Sequence, residues 1–207
     1  MGMVDMVKVK ICGLRRPQDI EYVNRLKVDY AGFVFAPSRR RISFEEAGRL
    51  IAALDKDIKK VGVFVNERPD VIMKACEELG LDVIQLHGDE PPESVRGYGR
   101  VSVWKAIRVE DADSLKAAED YEVDGILLDS SVKGLYGGTG LRFDLDLLEG
   151  VRFRQPVILA GGLGAGNVGE AILKVKPHAV DVSTGVEIDG YKDFEKMKKF
   201  VERVRSL

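Results

Sequence analysis

The chain has 207 residues, 45% hydrophobic and 32% charged, with a formal net charge of −2 at pH 7. That composition describes a folded globular protein rather than a disordered one, long enough to bury a sizeable core without disulfide or metal staples. The near-neutral balance gives no basic footprint for nucleic acid, no apolar run approaches the roughly 20 residues of a membrane span, and "MGMVDMVKVK" lacks the apolar core of a secretion signal.

The first alternating run, "VKVKIC" (7–12), reads as a strand. "PQDIEYVNRL" (17–26), opened by a proline, reads as a helix. Strand "YAGFVF" (30–35) precedes helix "SFEEAGRLIAAL" (43–54), where Ser43 and Glu46 make a capping box. Strand 60–65 leads to helix 69–79, begun by Pro69. Strand 82–87, a short helical piece at 91–99, strand 101–107 and helix 111–121 follow. Strand "GILLDS" (125–130), helix "FDLDLLEG" (143–150), strand 156–162, helix 166–175, strand 179–185 and helix 192–207 complete the chain.

Eight strand–helix repeats without a linker or low-complexity stretch predict one domain over residues 1–207. Strands separated by helices run parallel with right-handed crossovers. "GFVF", "VGVFV" and "GILLD" are nearly continuously apolar, as strands buried on both faces are. An eightfold repeat of this kind closes as an α/β fold, the (β/α)8 TIM barrel, here compact beside the typical ~250 residues. The competing open, doubly wound sheet needs a switch point, and no G-x-G-x-x-G follows the first strand.

A barrel of this class carries its site at the carboxyl ends of its strands. Those ends bear Cys12-Gly13, the loop "APSRRRIS", Asn66, His87-Gly88-Asp89, Lys105 and Arg108, Asp129-Ser130, Gly161-Gly162 and Ser183-Thr184-Gly185. The glycine-rich turns "AGGLGAGN" and "STGVE" either make tight strand–helix turns or wrap a phosphate with backbone N–H groups, and barrel phosphate sites favour this pair of loops. Cys12 is either a small buried hydrophobe or a reactive thiol. Alternation groups it with Lys8 and Lys10, opposite Val7, Val9 and Ile11, and leaves open which set faces the axis. Asp129 is a turn cap or a mouth acid or base. His87 is a satisfied structural histidine or a site residue. Arg39-Arg40-Arg41 is a solvated run or a carboxylate clamp.

Cys76 lies at helical spacing from Ile72 and Leu79 and reads as core, and His178 falls at the opposite end of the barrel. Two distant cysteines without an export signal point to free thiols and a cytoplasmic location. The two histidines and two cysteines do not make a zinc set, so no metal site is expected. The charged fraction, with only 7% aromatic residues, points to a heat-adapted source.

The segments "VKICGL" (9–14), "GFVFAPSRRRIS" (32–43), "VGVFVN" (61–66), "QLHGDE" (85–90), "LLDS" (127–130), "GGTGLRFDL" (137–145), "LAGGL" (159–163) and "VDVSTGVE" (180–187) together resemble the phosphoribosylanthranilate isomerase family of tryptophan biosynthesis. The resemblance implies a cofactor-free (β/α)8 enzyme acting on a small phosphoribosyl substrate by an Amadori rearrangement, as a monomer or a homodimer. It implies Cys12 as general base and Asp129 as general acid. It implies Arg40 for the anthranilate carboxylate, with His87 and Asp181 near the substrate. Phosphate would lie on Gly161, Gly162, Ser183, Thr184 and Gly185. Gly137, Gly138, Thr139 and Gly140 match the family's mobile loop after strand 6. One departure is Leu145, where the family commonly has tryptophan.

Nearby families fit less well. The sister isomerase of histidine biosynthesis carries an aspartate where this chain has Cys12, and a ribulose-phosphate epimerase needs a metal-ligand set. A catalytically silent sugar-phosphate barrel has no use for both Cys12 and Asp129. At ordinary values of ~3.9 for aspartate and ~8.5 for cysteine, the two groups are in the wrong order for acid and base at neutral pH. The site is therefore expected to raise Asp129 and lower Cys12.

Overall fold

A computed structural model describes residues 6–129, 148, 151 and 153–207. Eight parallel strands close into a barrel in chain order: β1 (Lys8–Cys12), β2 (Tyr30–Val34), β3 (Lys59–Phe64), β4 (Val83–Leu86), β5 (Ser102–Arg108), β6 (Gly125–Asp129), β7 (Val157–Ala160) and β8 (Ala179–Val182). The described helices are α1 (Pro17–Leu26), α2 (Phe44–Ile51), α3 (Pro69–Leu79), α4 (Ala112–Ala117), α5 (Val168–Val175) and α6 (Phe194–Arg205). The expected eight-strand barrel is the observed one.

The helix ends follow from their capping residues. Proline opens α1 and α3, and left-handed residues Lys27 (φ 48°) and Gly80 (φ 58°) stop them. Ser43 caps α2 through the expected reciprocal pair with Glu46. That helix ends earlier than expected, because Ala53 and Leu54 turn back onto Leu50 and Ile51 in i→i+3 bonds. The short helical piece after β4 is a 3-10 turn, Pro92–Val95. The expected helix at 143–150 lies, apart from Leu148, outside the described residues, as do Ser130 and the 137–140 loop.

Helix α4 and strand β8 also stop short, at Ala117 and Val182, each followed by a 3-10 turn, and one element is unexpected. Before α6, the chain makes a two-residue hairpin, β9 (Glu187–Ile188) and β10 (Tyr191–Lys192). Its turn residues Asp189 (φ 49°) and Gly190 (φ 79°) are both left-handed, the requirement of a tight two-residue hairpin turn. The Asp-Gly pair is the sequence signal for this turn. The last helix therefore starts after its cap Asp193, which accepts from the Lys196 amide, rather than at residue 192.

Strand alternation sorts the side chains. Val9 and Ile11 of β1 face the helices, as do Ile126 and Leu128 of β6. Tyr30, Val61, Val83, Trp104, Leu127, Ile158 and Ala179 fill the barrel interior, with the Tyr30 and Trp104 rings edge to face at 4.9 Å. Most of these apolar residues sit early in their strands. The carboxyl-terminal half of the interior combines the polar Lys10, Gln85, Asp129 and Asp181 with the small apolar Ala106 and Ala160, and that is where the candidate site lies.

Candidate active site

Alternation on β1 now has a definite sense. Lys10 and Cys12 share the inward face, and Lys10 Nζ lies 2.9 Å from Asp181 Oδ2 of the adjacent β8. The pair is close enough for an ion pair but is not aligned as a hydrogen bond. Lys10 Nζ, Asp181 Oδ1 and Gln85 Oε1 are buried polar atoms without a hydrogen-bond partner. Lys10 is compensated by its ion pair, whereas burying Asp181 Oδ1 and Gln85 Oε1 without a partner is costly, which marks these two as candidate ligand contacts.

Cys12 is buried beside this pair. Burial pushes its thiol above the ordinary value; Lys10 and Lys192 pull it down, and Asp181 pushes it up. The direction is opposite to the sequence-based expectation of a lowered thiol, because desolvation outweighs the two lysines. Lys10 is also buried, yet Asp181 and Cys12 outweigh desolvation and raise its pKa, so it stays charged. Ser183 Oγ donates to the Cys12 carbonyl at 3.0 Å and accepts from Lys192 Nζ at 3.2 Å. That hydroxyl is committed to the wall of the site.

Asp129 ends β6 on the inward face. His87 Nε2 lies 3.1 Å from Asp129 Oδ2, and His87 Nδ1 accepts from Gln85 Nε2 at 2.7 Å. With Nδ1 as acceptor, neutral His87 presents its Nε2–H to the aspartate. Lys105, expected at the mouth, instead faces outward from β5 and binds Gly88 O and Glu90 Oε2.

The loop after β2 brings Arg40 to the same rim. Its side chain is 17% exposed against 58% for Arg39. Arg40 Nε and Nη2 donate to the two Glu187 oxygens at 2.8 and 2.9 Å, and Nη2 also reaches Thr184 Oγ1 at 2.8 Å. Gly13 (φ 82°) lies under this side chain, and a Cβ there would strike Arg40 Cδ. Arg41 is exposed.

The two glycine turns abut. A Cβ on Gly185 would run into the Leu163 carbonyl oxygen, so only glycine lets the loops after β7 and β8 approach this closely. Gly161 (φ 83°) and Gly162 (φ 61°) shape the first turn, which Asn167 holds by donating to Gly162 O and accepting from Gly164 N.

The structure thus gathers Cys12, Arg40, His87, Asp129, Asp181 and both glycine turns at the carboxyl ends of the strands. Sequence reasoning passed over Lys10, Gln85, Glu187 and Lys192. Lys10 had a signal, since it shares the strand face of Cys12; Lys192 had only the indirect signal of the Asp189-Gly190 turn, which sets its position. Among the described residues, no group of three or more His, Cys, Asp or Glu side chains is placed to hold a metal, and no helix is long and apolar enough to cross a membrane.

Fold and site define a (β/α)8 barrel with a candidate acid–base rim and a candidate anion cradle. Residues 9–203 match the family described as N-(5'phosphoribosyl)anthranilate (PRA) isomerase. The chain is 53% identical over 202 residues to the N-(5'-phosphoribosyl)anthranilate isomerase of Thermoanaerobacter sp. (strain X514), covering 98% of this chain and 100% of that one. It is similar to the phosphoribosyl anthranilate isomerase structure from Thermotoga maritima, with 40% identity, TM-score 0.90, and 98% and 100% coverage. Another phosphoribosyl anthranilate isomerase structure, in complex with reduced 1-(o-carboxyphenylamino)-1-deoxyribulose 5-phosphate, matches with 36% identity, TM-score 0.82, and 98% and 100% coverage. The chain belongs to the N-(5'-phosphoribosyl)anthranilate isomerase family.

Proposed function

We propose that this enzyme converts N-(5'-phosphoribosyl)anthranilate to 1-(2-carboxyphenylamino)-1-deoxyribulose 5-phosphate, with Asp129 as acid and Cys12 as base. The observation that carries the reading is one rim holding both a buried thiol flanked by lysines and an aspartate bonded to His87.

Asp129, protonated, gives its proton to the furanose ring oxygen. The C1–O bond breaks, and the anilino nitrogen supplies the electrons that make the open iminium. The Cys12 thiolate then removes the C2 proton; the C–H electrons form C1=C2, and the iminium electrons return to nitrogen. The resulting enolamine tautomerises to the ketone, with a proton gained at C1 and lost from the C2 hydroxyl. No oxidant or reductant is consumed, and the role of the residues is proton transfer in fixed geometry.

The remaining contacts support this assignment. Lys10 and Lys192 supply the positive charge that a thiolate needs. Asp181 Oδ1, buried and without a hydrogen-bond partner, is placed to accept from a sugar hydroxyl. His87 orients Asp129 through Nε2–H. Arg40 takes the anthranilate carboxylate, and the turns at Gly161-Gly162 and Ser183-Thr184-Gly185 take the phosphate.

The test is a fluorescence assay. Phosphoribosylanthranilate is generated in situ, and loss of its anthranilate emission is followed with wild type, Cys12→Ala and Asp129→Asn. Rapid loss in the wild type, with both variants slowed by about a hundredfold or more while binding of the reduced product analogue survives, is expected. Near-wild-type turnover in either variant removes that residue from its role. Activity is expected to persist in EDTA; loss restored by a divalent ion would contradict a metal-free mechanism.

A further inference from the structure

We propose that Glu187 is a positioning residue for both halves of the reaction: it fixes one edge of Arg40 for the substrate carboxylate and holds the Lys192 ammonium beside the Cys12 thiol. The inference rests on the reading of Arg40 as carboxylate ligand and Cys12 as base.

Glu187 opens the hairpin that follows β8 and is buried. Its carboxylate gathers three cations from two separate parts of the chain. Oε1 accepts from Arg40 Nε at 2.8 Å and from Lys192 Nζ at 2.8 Å; Oε2 accepts from Arg40 Nη2 at 2.9 Å and from Arg39 Nη2 at 3.2 Å. The side-on pairing uses the Nε and Nη2 edge of Arg40. Its Nη1 has no protein partner among the described residues, so that end of the planar fork can receive a second carboxylate. A guanidinium clamped on one edge loses little freedom when a ligand takes the other.

The same carboxylate governs Lys192. All three Lys192 N–H donors are engaged, with Ser183 O at 3.1 Å, Ser183 Oγ at 3.2 Å and Glu187 Oε1 at 2.8 Å. Ser183 is in turn bonded to the Cys12 carbonyl. The ammonium is therefore fixed in place next to the base. Burial drives Lys192 toward its neutral form, and Glu187 is the anion that opposes this most. The charged groups around Cys12 are Lys10 on its own strand, Asp181 on β8, Lys192 on β10 and Arg40 on the β2 loop. Around Glu187 stand Arg39, Arg40 and Lys192, with Lys196 Nζ on its carbonyl. Removing the Glu187 charge leaves Lys192 buried without an anion. Its proton is then lost at lower pH, and Cys12 loses one of the two lysines that favour its thiolate.

The test joins two readouts. One is steady-state kinetics in the full-length protein. The other is the pH dependence of Cys12 alkylation by iodoacetamide in the substrate-free protein, in a Cys76→Ser background so that one thiol reports. Glu187→Gln is expected to raise KM about tenfold and to move the alkylation midpoint about one unit toward alkaline pH. Lys192→Met is expected to give the same midpoint shift with little change in KM. Glu187→Asp keeps the charge but shortens the reach, so KM rises without the shift. It serves, with Lys192→Met, if Glu187→Gln does not fold. A loss of kcat in Glu187→Gln with KM and the midpoint both unchanged would overturn the proposal and leave Glu187 a structural residue. Full turnover after complete Cys12 alkylation would instead overturn the reading of Cys12 as base, while the midpoints would still report whether Glu187 and Lys192 control the thiol.

Discussion

Gly32 lies beside Cys12 in the parallel register of β1 and β2, and a Cβ at position 32 would stand 3.1 Å from the Cys12 sulfur. That separation is tighter than ordinary van der Waals contact, so the missing side chain is what gives the thiol its place at the rim. The same Cβ would lie 3.0 Å from the Cys12 Cα, so relief needs movement of β1 as well as of the sulfur. Gly32→Ala is expected to cost about 1–3 kcal/mol by overpacking and to lower kcat by more than the loss of folded protein explains. Chemical denaturation beside turnover per folded molecule checks this. An unchanged kcat would show that the sulfur has room to move without penalty.

His87 is bonded on both sides, to Gln85 by Nδ1 and to Asp129 by Nε2. This fixes the ring and holds the aspartate carboxyl against it through Oδ2. His87→Leu is expected to lower kcat by about tenfold or more with KM nearly unchanged, because substrate binding keeps Arg40 and the glycine turns. Gln85→Leu should act in the same direction but less, since it loosens the ring without removing it. A rise in KM alone from His87→Leu would make the histidine a binding group instead.

These relationships mark how far the sequence could be read. Strand order, barrel closure and the limits of α1 and α3 were legible because periodicity and opening prolines are local signals. The inward face of β1 was not, since alternation gives two sets and only closure of the barrel chooses between them. Glu187 and Lys192 were hidden for a different reason. Their partners, Arg40 and Ser183, meet them only when the Asp189-Gly190 turn folds the chain back, and a motif read along one dimension does not show which carboxylate a buried lysine finds. The direction of the Cys12 shift was also out of reach, because it is a contest between burial and neighbouring charges that depends on the packed site.

The arginine triplet separates in space. Arg40 is the least exposed of the three, packs over Gly13 and is electrostatically coupled to Cys12. Arg40→Ala is expected to raise KM at least about tenfold, the loss of a charge-assisted carboxylate contact, whereas Arg39→Ala and Arg41→Ala should change it less than about threefold. Three KM values under one set of conditions decide it. Equal effects would place the carboxylate elsewhere on the loop.

Acid stability should carry the signature of Glu187. Burial acts to raise its carboxyl, but hydrogen bonds from Arg40 and the charge of Lys192 outweigh it and bring it from 4.5 to about 2. A carboxyl held lower in the folded state contributes stability that is fully present above its unfolded value. The contribution is lost as pH falls through the window from 4.5 toward about 2. Urea midpoints of wild type should therefore fall across that window more steeply than those of Glu187→Gln. Parallel curves would show that the carboxylate gains nothing from its cations on folding.

The last prediction concerns the anchor beneath His87. Lys105 points out of the barrel from β5 and is buried, with Nζ donating to Gly88 O at 2.6 Å and Glu90 Oε2 at 2.9 Å. Glu90 also accepts from the amides of Asn66 and Gly88, and its carbonyl accepts from Tyr121 Oη at 2.9 Å. The cluster ties the loops after β3 and β4 to β5, directly after the residue that binds Asp129. Lys105→Met leaves the Glu90 carboxylate buried without its cation and is expected to cost about 3–5 kcal/mol. Glu90→Gln with Lys105→Met removes both charges and should recover part of that loss, since the penalty comes from the uncompensated ion. Denaturation of the two single variants and the double variant measures the coupling. Additive costs would mean that the pair does not act as a unit and that the loop is held by its backbone bonds alone.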